Sequence, residues 1–214
     1  MRIVVAPDSY KGSVSAMGVA DAMERGIRKV FVDAVVSKIP IADGGEGTVE
    51  SMGGATGGTL RCTKVTGPRG ERVAAQWGIL GDGKTAVIEM AAASGLPLVA
   101  KEKLNVRIAT SRGTGELILA ALDAGLGKII IGIGGSATND GGAGMARALG
   151  IRFLGADGHE FPEGGAALAQ LARIDTAGLD PRIAETELIV ACDVDNPLCG
   201  TRGASAVFGP QKGA

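Results

Sequence analysis

The sequence predicts an α/β protein whose first part is built on a parallel sheet. Short β-branched runs alternate with stretches of helical periodicity, and each run empties into a polar, glycine-rich loop, the pattern of β-α-β units. Arg2–Ala6 reads as a buried strand. Ser13 or Ser15 can then cap a helix whose apolar face is Val19, Ala20, Met23, Ile27 and Val30. Val35–Ile41 reads as a second strand that ends at the loop 42–48, and a short helix, Thr48–Met52, dissolves into the glycines of 53–58. The texture changes near 66–70. Arg72–Leu80 and Thr85–Met90 read as two strands joined by the turn Gly81-Asp82-Gly83, which places a domain division at about 66/67. Thr114–Ala124 is a strong helix with Gly125 at its C-terminal end, and Lys128–Ile133 is a buried strand. A small-residue helix runs to Leu149, another helix to Ala172, and Glu187–Ala191 is the last clear strand.

Composition excludes several function classes. Among 214 residues, 22 basic side chains face 23 acidic ones, and Trp and Tyr occur once each; this is not a basic, base-stacking nucleic-acid surface. His159 is the one imidazole, so a metal site needing two histidines cannot form, and its Asp-Gly-His-Glu setting reads as an exposed turn. Cys62, Cys192 and Cys199 lack C-x-x-C spacing and read as free thiols of a reducing compartment. The N-terminus reaches Pro7 and Asp8 too early for a signal sequence, and no apolar run approaches ~18 residues. The expectation is a cytoplasmic protein with small-molecule partners, no nucleic acid and no membrane; a homodimer is left open.

Ligands of open α/β sheets bind outside the carboxyl ends of the strands. Four expected strand ends carry polar clusters: Asp8, Ser9 and Lys11; Asp43 and Glu46; Ser136, Thr138, Asn139 and Asp140; Asp193 and Asn196. Glycines among them, Gly134 and Gly135 included, let backbone N–H groups turn toward an anion. Carboxylates in such a place repel phosphate unless a cation lies between, so the clusters together suggest Mg²⁺-phosphate chemistry. The same residues also make ordinary turns and caps. The pattern D-G-G-x-G occurs twice, at 43–47 and 140–144, each time between a strand and a helix, as one local device used twice.

Other motifs compete. Gly78–Thr85 satisfies G-x-x-x-x-G-K-[ST], yet that phosphate loop must open a helix, whereas Thr85–Met90 favours a strand; a hairpin is expected, with Trp77 in its core. Gly132–Ala137 fits G-x-G-x-x-[GA] after a strand, which keeps a dinucleotide-dependent oxidoreductase as an alternative. No G-x-S-x-G elbow supports a serine hydrolase.

The segments 6–16 (APDSYKGSVSA), 41–48 (IADGGEGT), 64–70 (KVTGPRG), 85–96 (TAVIEMAAASGL), 113–118 (GTGELI), 132–145 (GIGGSATNDGGAGM), 192–200 (CDVDNPLCG) and 203–214 (GASAVFGPQKGA) resemble the class I glycerate kinases in register along the whole chain. The resemblance implies ATP- and Mg²⁺-dependent phosphorylation of D-glycerate to a phosphoglycerate. It also implies a Rossmann-like domain, of which 1–66 is the N-terminal part, and a second mixed α/β domain at 67–214. Tyr10, Asn105-Val106 and Arg112 depart from the commoner Phe, Asn-Pro and Tyr. Members of the family continue beyond GPQKGA, so the sequence is expected to lack the segment that returns to the first sheet, and an inactive fragment is a further alternative. For a kinase of this class, positioning and charge neutralisation matter more than covalent chemistry. Lys11 and Lys212 would then meet the phosphates or the acceptor carboxylate, with Asp8, Ser9, Glu46 and Asn139 among the substrate and nucleotide contacts. The loop 134–142 would cradle phosphate, assisted by Ser136 and Thr138, and Asp43 or Asp140 would hold Mg²⁺. Asp193 would take the hydroxyl proton, with Asn196 orienting.

Overall fold

The computed structural model describes every residue except Lys11 and Gly12. Strands β1 (Arg2–Val5) and β2 (Val35–Lys38) pair in parallel and are joined by helix α1 (Ala16–Val30). Of the two candidate caps it is Ser15 that serves, its hydroxyl accepting the Gly18 N–H at 3.2 Å. Ala16 and Ala20 form the buried stripe of α1, while Lys38 at the end of β2 reaches back to Asp21 and Glu24 at 2.8 and 3.0 Å. The unit is thin, and Val4, Val35, Ile39 and Ile41 remain exposed.

Helix α2 (Thr48–Thr56) is one turn longer than its composition suggests: Gly53 and Gly54 stay helical, and Gly57, at φ 68°, ends it. Strand β3 (Thr59–Thr66) follows, in a segment for which no strand was expected, although its Thr, Val and Cys content suits one. It pairs antiparallel along its whole length with β4 (Arg72–Ile79), which pairs antiparallel with β5 (Thr85–Glu89). The expected division at 66/67 therefore falls inside a hairpin, and strand pairing puts 59–66 with the second unit. The turn between β4 and β5 is the hairpin and not a phosphate loop: the Asp82 carboxylate accepts the N–H groups of Lys84 and Thr85, each at 2.9 Å, and the Thr85 hydroxyl.

Helices α3 (Met90–Ser94) and α4 (Arg112–Asp123) lead to β6 (Lys128–Gly132), parallel to β5. A six-residue helix α5 (Ala143–Ala148) and the small antiparallel pair β7 (Arg152–Leu154) and β8 (Arg173–Asp175) come next. The helix expected to end at Ala172 is a 3-10 helix over Gly165–Gln170. Strand β9 (Glu187–Ala191) returns to pair in parallel with β6, and helix α6 (Ala204–Phe208) precedes the C-terminal turn at Pro210–Lys212. The five-stranded sheet thus has the order β3-β4-β5-β6-β9. Its core is formed by Val65, Trp77, Ile88, Ile129 and Ile131 packed against Leu117, Ile118 and Leu122 of α4. Among the described residues, no helix is long and apolar enough to cross a membrane.

Candidate functional site

Register puts three residues in a row at the carboxyl ends of the parallel strands: Glu89 opposite Gly132, and Gly132 opposite Ala191. The loop after β2 is laid along this row. The Gly134 N–H donates to the Gly44 carbonyl at 3.1 Å, and a Cβ on Gly44 would stand 2.8 Å from the Ala191 carbonyl oxygen. Gly44 also holds φ at 90°, a region that excludes most side chains. A Cβ on Gly132 would run into the Gly44 carbonyl oxygen. Only bare backbone on both sides permits this approach. The third residue of the row bonds to the helix that follows: the Glu89 carboxylate accepts the Val49 N–H at 2.7 Å.

The loop after β6 folds back on the end of α3. The Ala137 N–H donates to the Ser94 carbonyl and the Leu96 N–H to the Gly135 carbonyl, each at 2.9 Å. Lys212 then reaches in from the C-terminal turn. Its ammonium donates to Ser136 Oγ at 2.7 Å and to the Thr138 carbonyl at 2.8 Å. The amine is buried, which lowers its pKa, while the nearby Asp140 carboxylate pulls the other way. Asn139 bonds to Ser205 at 2.8 Å, so α6 is joined to the same loop.

Asp140 is 2% exposed and its oxygens are crowded with donors. Oδ2 accepts the Ser111 N–H at 2.9 Å, the Ser111 hydroxyl at 2.8 Å and the Gly144 N–H at 3.1 Å; Oδ1 accepts the Gly142 N–H at 3.1 Å. The Ser111 hydroxyl in turn accepts the Met145 N–H. This carboxylate ties the start of α4 to the start of α5. Asp43 opens the first D-G-G-x-G in a similar turn, its Oδ1 accepting the Gly45 N–H at 2.9 Å, but its residue is exposed. The two copies share the turn and differ in solvent access.

Ser9, Tyr10 and Ser13 line a cavity of about 640 Å³ together with Glu46, Val49, Glu89 and Ala91. Within it burial raises the Glu89 pKa, partly offset by the N–H groups of Val49 and Gly47. Asp8 is exposed and accepts the Ser9 N–H at 2.6 Å. Lys11 lies outside the described residues. Beyond β9, Asp193 is exposed two residues past Ala191, and Asn196 donates to the Arg202 carbonyl at 2.9 Å.

The structure therefore gathers Asp43, Glu46, Gly134, Gly135, Ser136, Thr138, Asn139, Asp140 and Lys212 around one edge of the sheet, where the Asp193 loop also starts. Among the described residues, no hydrogen bond joins Asp193 or Asn196 to the other clusters. The N–H groups of Gly134, Ala137, Gly142 and Gly144 have acceptors within the protein, so the anion-facing groups of this loop reduce to fewer backbone donors and to the Ser136–Lys212 pair. A dinucleotide fingerprint needs a helix opening directly on its glycines; here α5 begins only at Ala143, and Gly134 is occupied by Gly44.

Three participants escaped sequence reasoning. Ser111 and Glu163 carry no local signal: Glu163 is selected by the fold to bond the Thr110 hydroxyl and the Arg112 guanidinium, each at 2.5 Å. Glu89 did carry one, as the only charged residue between Thr85 and Ala100. Among the described residues no three carboxylate, thiolate or imidazole groups converge as a metal cage.

Residues 3–214 match the model of the glycerate kinase family. The chain belongs to that family. It is 62% identical, over its full length, to glycerate 2-kinase of Escherichia coli (strain K12), and 62% identical to glycerate kinase of Bacillus subtilis (strain 168). In both cases it covers 56% of the relative, so the chain spans about half the length of the curated glycerate kinases it matches. A crystal structure from Salmonella typhimurium LT2, assigned as glycerate kinase 2, superposes with a TM-score of 0.89 at 58% identity, covering all of this chain and 58% of that one. The mixed α/β fold is thus the fold of this part of a glycerate kinase.

Proposed function

We propose that this chain carries the phosphoryl-transfer centre of a glycerate kinase, acting in the cytoplasm on ATP and D-glycerate with Mg²⁺. The observation that carries the reading is the seating of the 43–47 loop on the ends of β6 and β9, beside the 134–140 loop that Lys212 clamps. Polar groups from four distant stretches share one edge of the sheet, as transfer between two bound anionic substrates requires.

The donor chemistry discriminates between the two candidate Mg²⁺ ligands. Asp140 does not fit, because it is buried and four donors already occupy its oxygens. Asp43 fits: it is an exposed carboxylate at the edge of the same loop cluster, and Mg²⁺ takes one or two carboxylates together with phosphate oxygens. When bound, the ion neutralises the charge that develops on the phosphates. Lys212 and Ser136 present an N–H and O–H pair to the transferring group, and Thr138 holds Lys212 in place through its carbonyl. Asp193, exposed at the mouth of the β9 loop, accepts the proton of the glycerate hydroxyl, and Asn196 steadies that loop through Arg202.

The test is a coupled assay of ADP formation with and without D-glycerate. Wild-type chain is expected to turn over only with both glycerate and Mg²⁺. Asp193→Ala is expected to lower turnover by about 10² or more, with no loss of melting temperature. Turnover by Asp193→Ala near the wild-type rate removes Asp193 from this role, and glycerate-independent ATP consumption by the wild type overturns the assignment.

A further inference from the structure

Helix α2 has a glycine, Gly47, at its N-cap, so no side chain there can serve its open N–H groups. The missing acceptor comes from another sheet. Glu89, 8% exposed at the end of β5, takes the Val49 N–H at 2.7 Å. A carboxylate at a buried strand end is costly unless it is hydrogen-bonded, and position 47, at φ 94°, lies in a left-handed conformation from which a capping side chain is excluded. A cap supplied across 40 residues of sequence therefore does something that a local cap cannot: it joins the first unit to the five-stranded sheet. The joint lies at one end of the Glu89–Gly132–Ala191 row, with the Gly44 contacts at the other. Glu46 hangs between these two points, and Asp43 immediately precedes Gly44.

We propose that Glu89 is a positioning residue of the phosphoryl-transfer site: it caps α2 from β5 and so sets the 43–47 loop on the sheet ends. In its catalytic consequence this rests on the kinase reading above; in its structural core it does not. Two variants separate reach from charge. Glu89→Asp keeps the charge but withdraws the acceptor by about 1.5 Å. Glu89→Gln keeps the reach and an acceptor oxygen but not the charge.

Amide hydrogen exchange, read by mass spectrometry on peptides covering 43–52 and, in helix α4, 116–124, tests the joint directly. In Glu89→Asp the 43–52 peptide is expected to exchange about tenfold faster or more, with 116–124 unchanged. In Glu89→Gln it is expected to stay within about threefold of wild type. Wild-type exchange at 43–52 in Glu89→Asp, or equal acceleration of both peptides, overturns the proposal. In the glycerate assay kcat is expected to fall at least about tenfold in Glu89→Asp, with the KM for ATP little changed, and to recover in Glu89→Gln. Loss of the joint with kcat intact overturns the positioning role. Absence of turnover in the wild type overturns the kinase reading and leaves the joint to be decided by exchange.

Discussion

Replacing Asp140 separates the two jobs a buried carboxylate in this loop can have. In the structure it accepts four hydrogen bonds and holds α4 and α5 together. In Asp140→Asn the amide oxygen can take over the three donors at Oδ2, but the NH₂ group then confronts the Gly142 N–H. One bond is lost and a buried donor is left without an acceptor, a cost of about 1–3 kcal/mol. Asp140→Ala strips all four acceptor contacts. Entry of water limits the cost, and about 3–5 kcal/mol is expected, in the range of broken buried networks. At ~2–4 °C per kcal/mol for a chain of this size, the melting temperature drops by about 2–12 °C for Asn and by about 6–20 °C for Ala. Thermal unfolding followed by circular dichroism, run in EDTA and again in Mg²⁺, decides the matter. The expected losses appear in both buffers. A metal ligand behaves in the opposite way: without Mg²⁺ the Asn variant melts at or above wild type, and only the Mg²⁺-dependent increment disappears. That result, or an Asn variant within about 0.5 kcal/mol of wild type, refutes the assignment of Asp140 to backbone organisation.

Other substitutions probe the seat of the loop, the hairpin and the core. Gly132→Ala drives a methyl group into the Gly44 carbonyl; a cost of about 1–3 kcal/mol in urea unfolding is expected, together with a drop in glycerate-dependent turnover. Asp82 is held down to about 2 by the Thr85 hydroxyl and the N–H groups of Lys84 and Thr85. A carboxylate whose folded pKa is depressed stabilises the fold above its ordinary value of 3.8, and that contribution is lost as pH falls toward 2. Melting temperatures measured between those limits should therefore converge for wild type and Asp82→Asn at the acid end and separate above it. Leu117→Ala, at a fully buried position between α4 and the sheet, is expected to cost about 2–5 kcal/mol in the same unfolding experiment.

Much of the fold was legible because periodicity is a local signal. Strands β1, β6 and β9, helix α4 and the β4–β5 hairpin lie where alternation, caps and the Gly81-Asp82-Gly83 turn place them. Strand β3 was missed because Thr59–Thr66 mixes polar and apolar side chains without a clean alternation; as the edge strand of the sheet it leaves most of its side chains exposed and becomes a strand by pairing with β4. Glu163 was invisible for a related reason. Its partners Thr110 and Arg112 lie about fifty residues away, and nothing local distinguishes it from a solvated loop glutamate.

The order of strands and helices, the glycine-rich loops at their ends and the family resemblance are properties of neighbouring residues, so they could be read along the chain. Which of the two carboxylates stays at the surface could not. Asp43 and Asp140 open the same D-G-G-x-G pattern with the same Asx turn. One stays at the surface, and the other is enclosed where the ends of α4 and α5 meet. Solvation and hydrogen-bond supply set the chemistry of a carboxylate, and both depend on residues brought together only when the sheet and its helices pack.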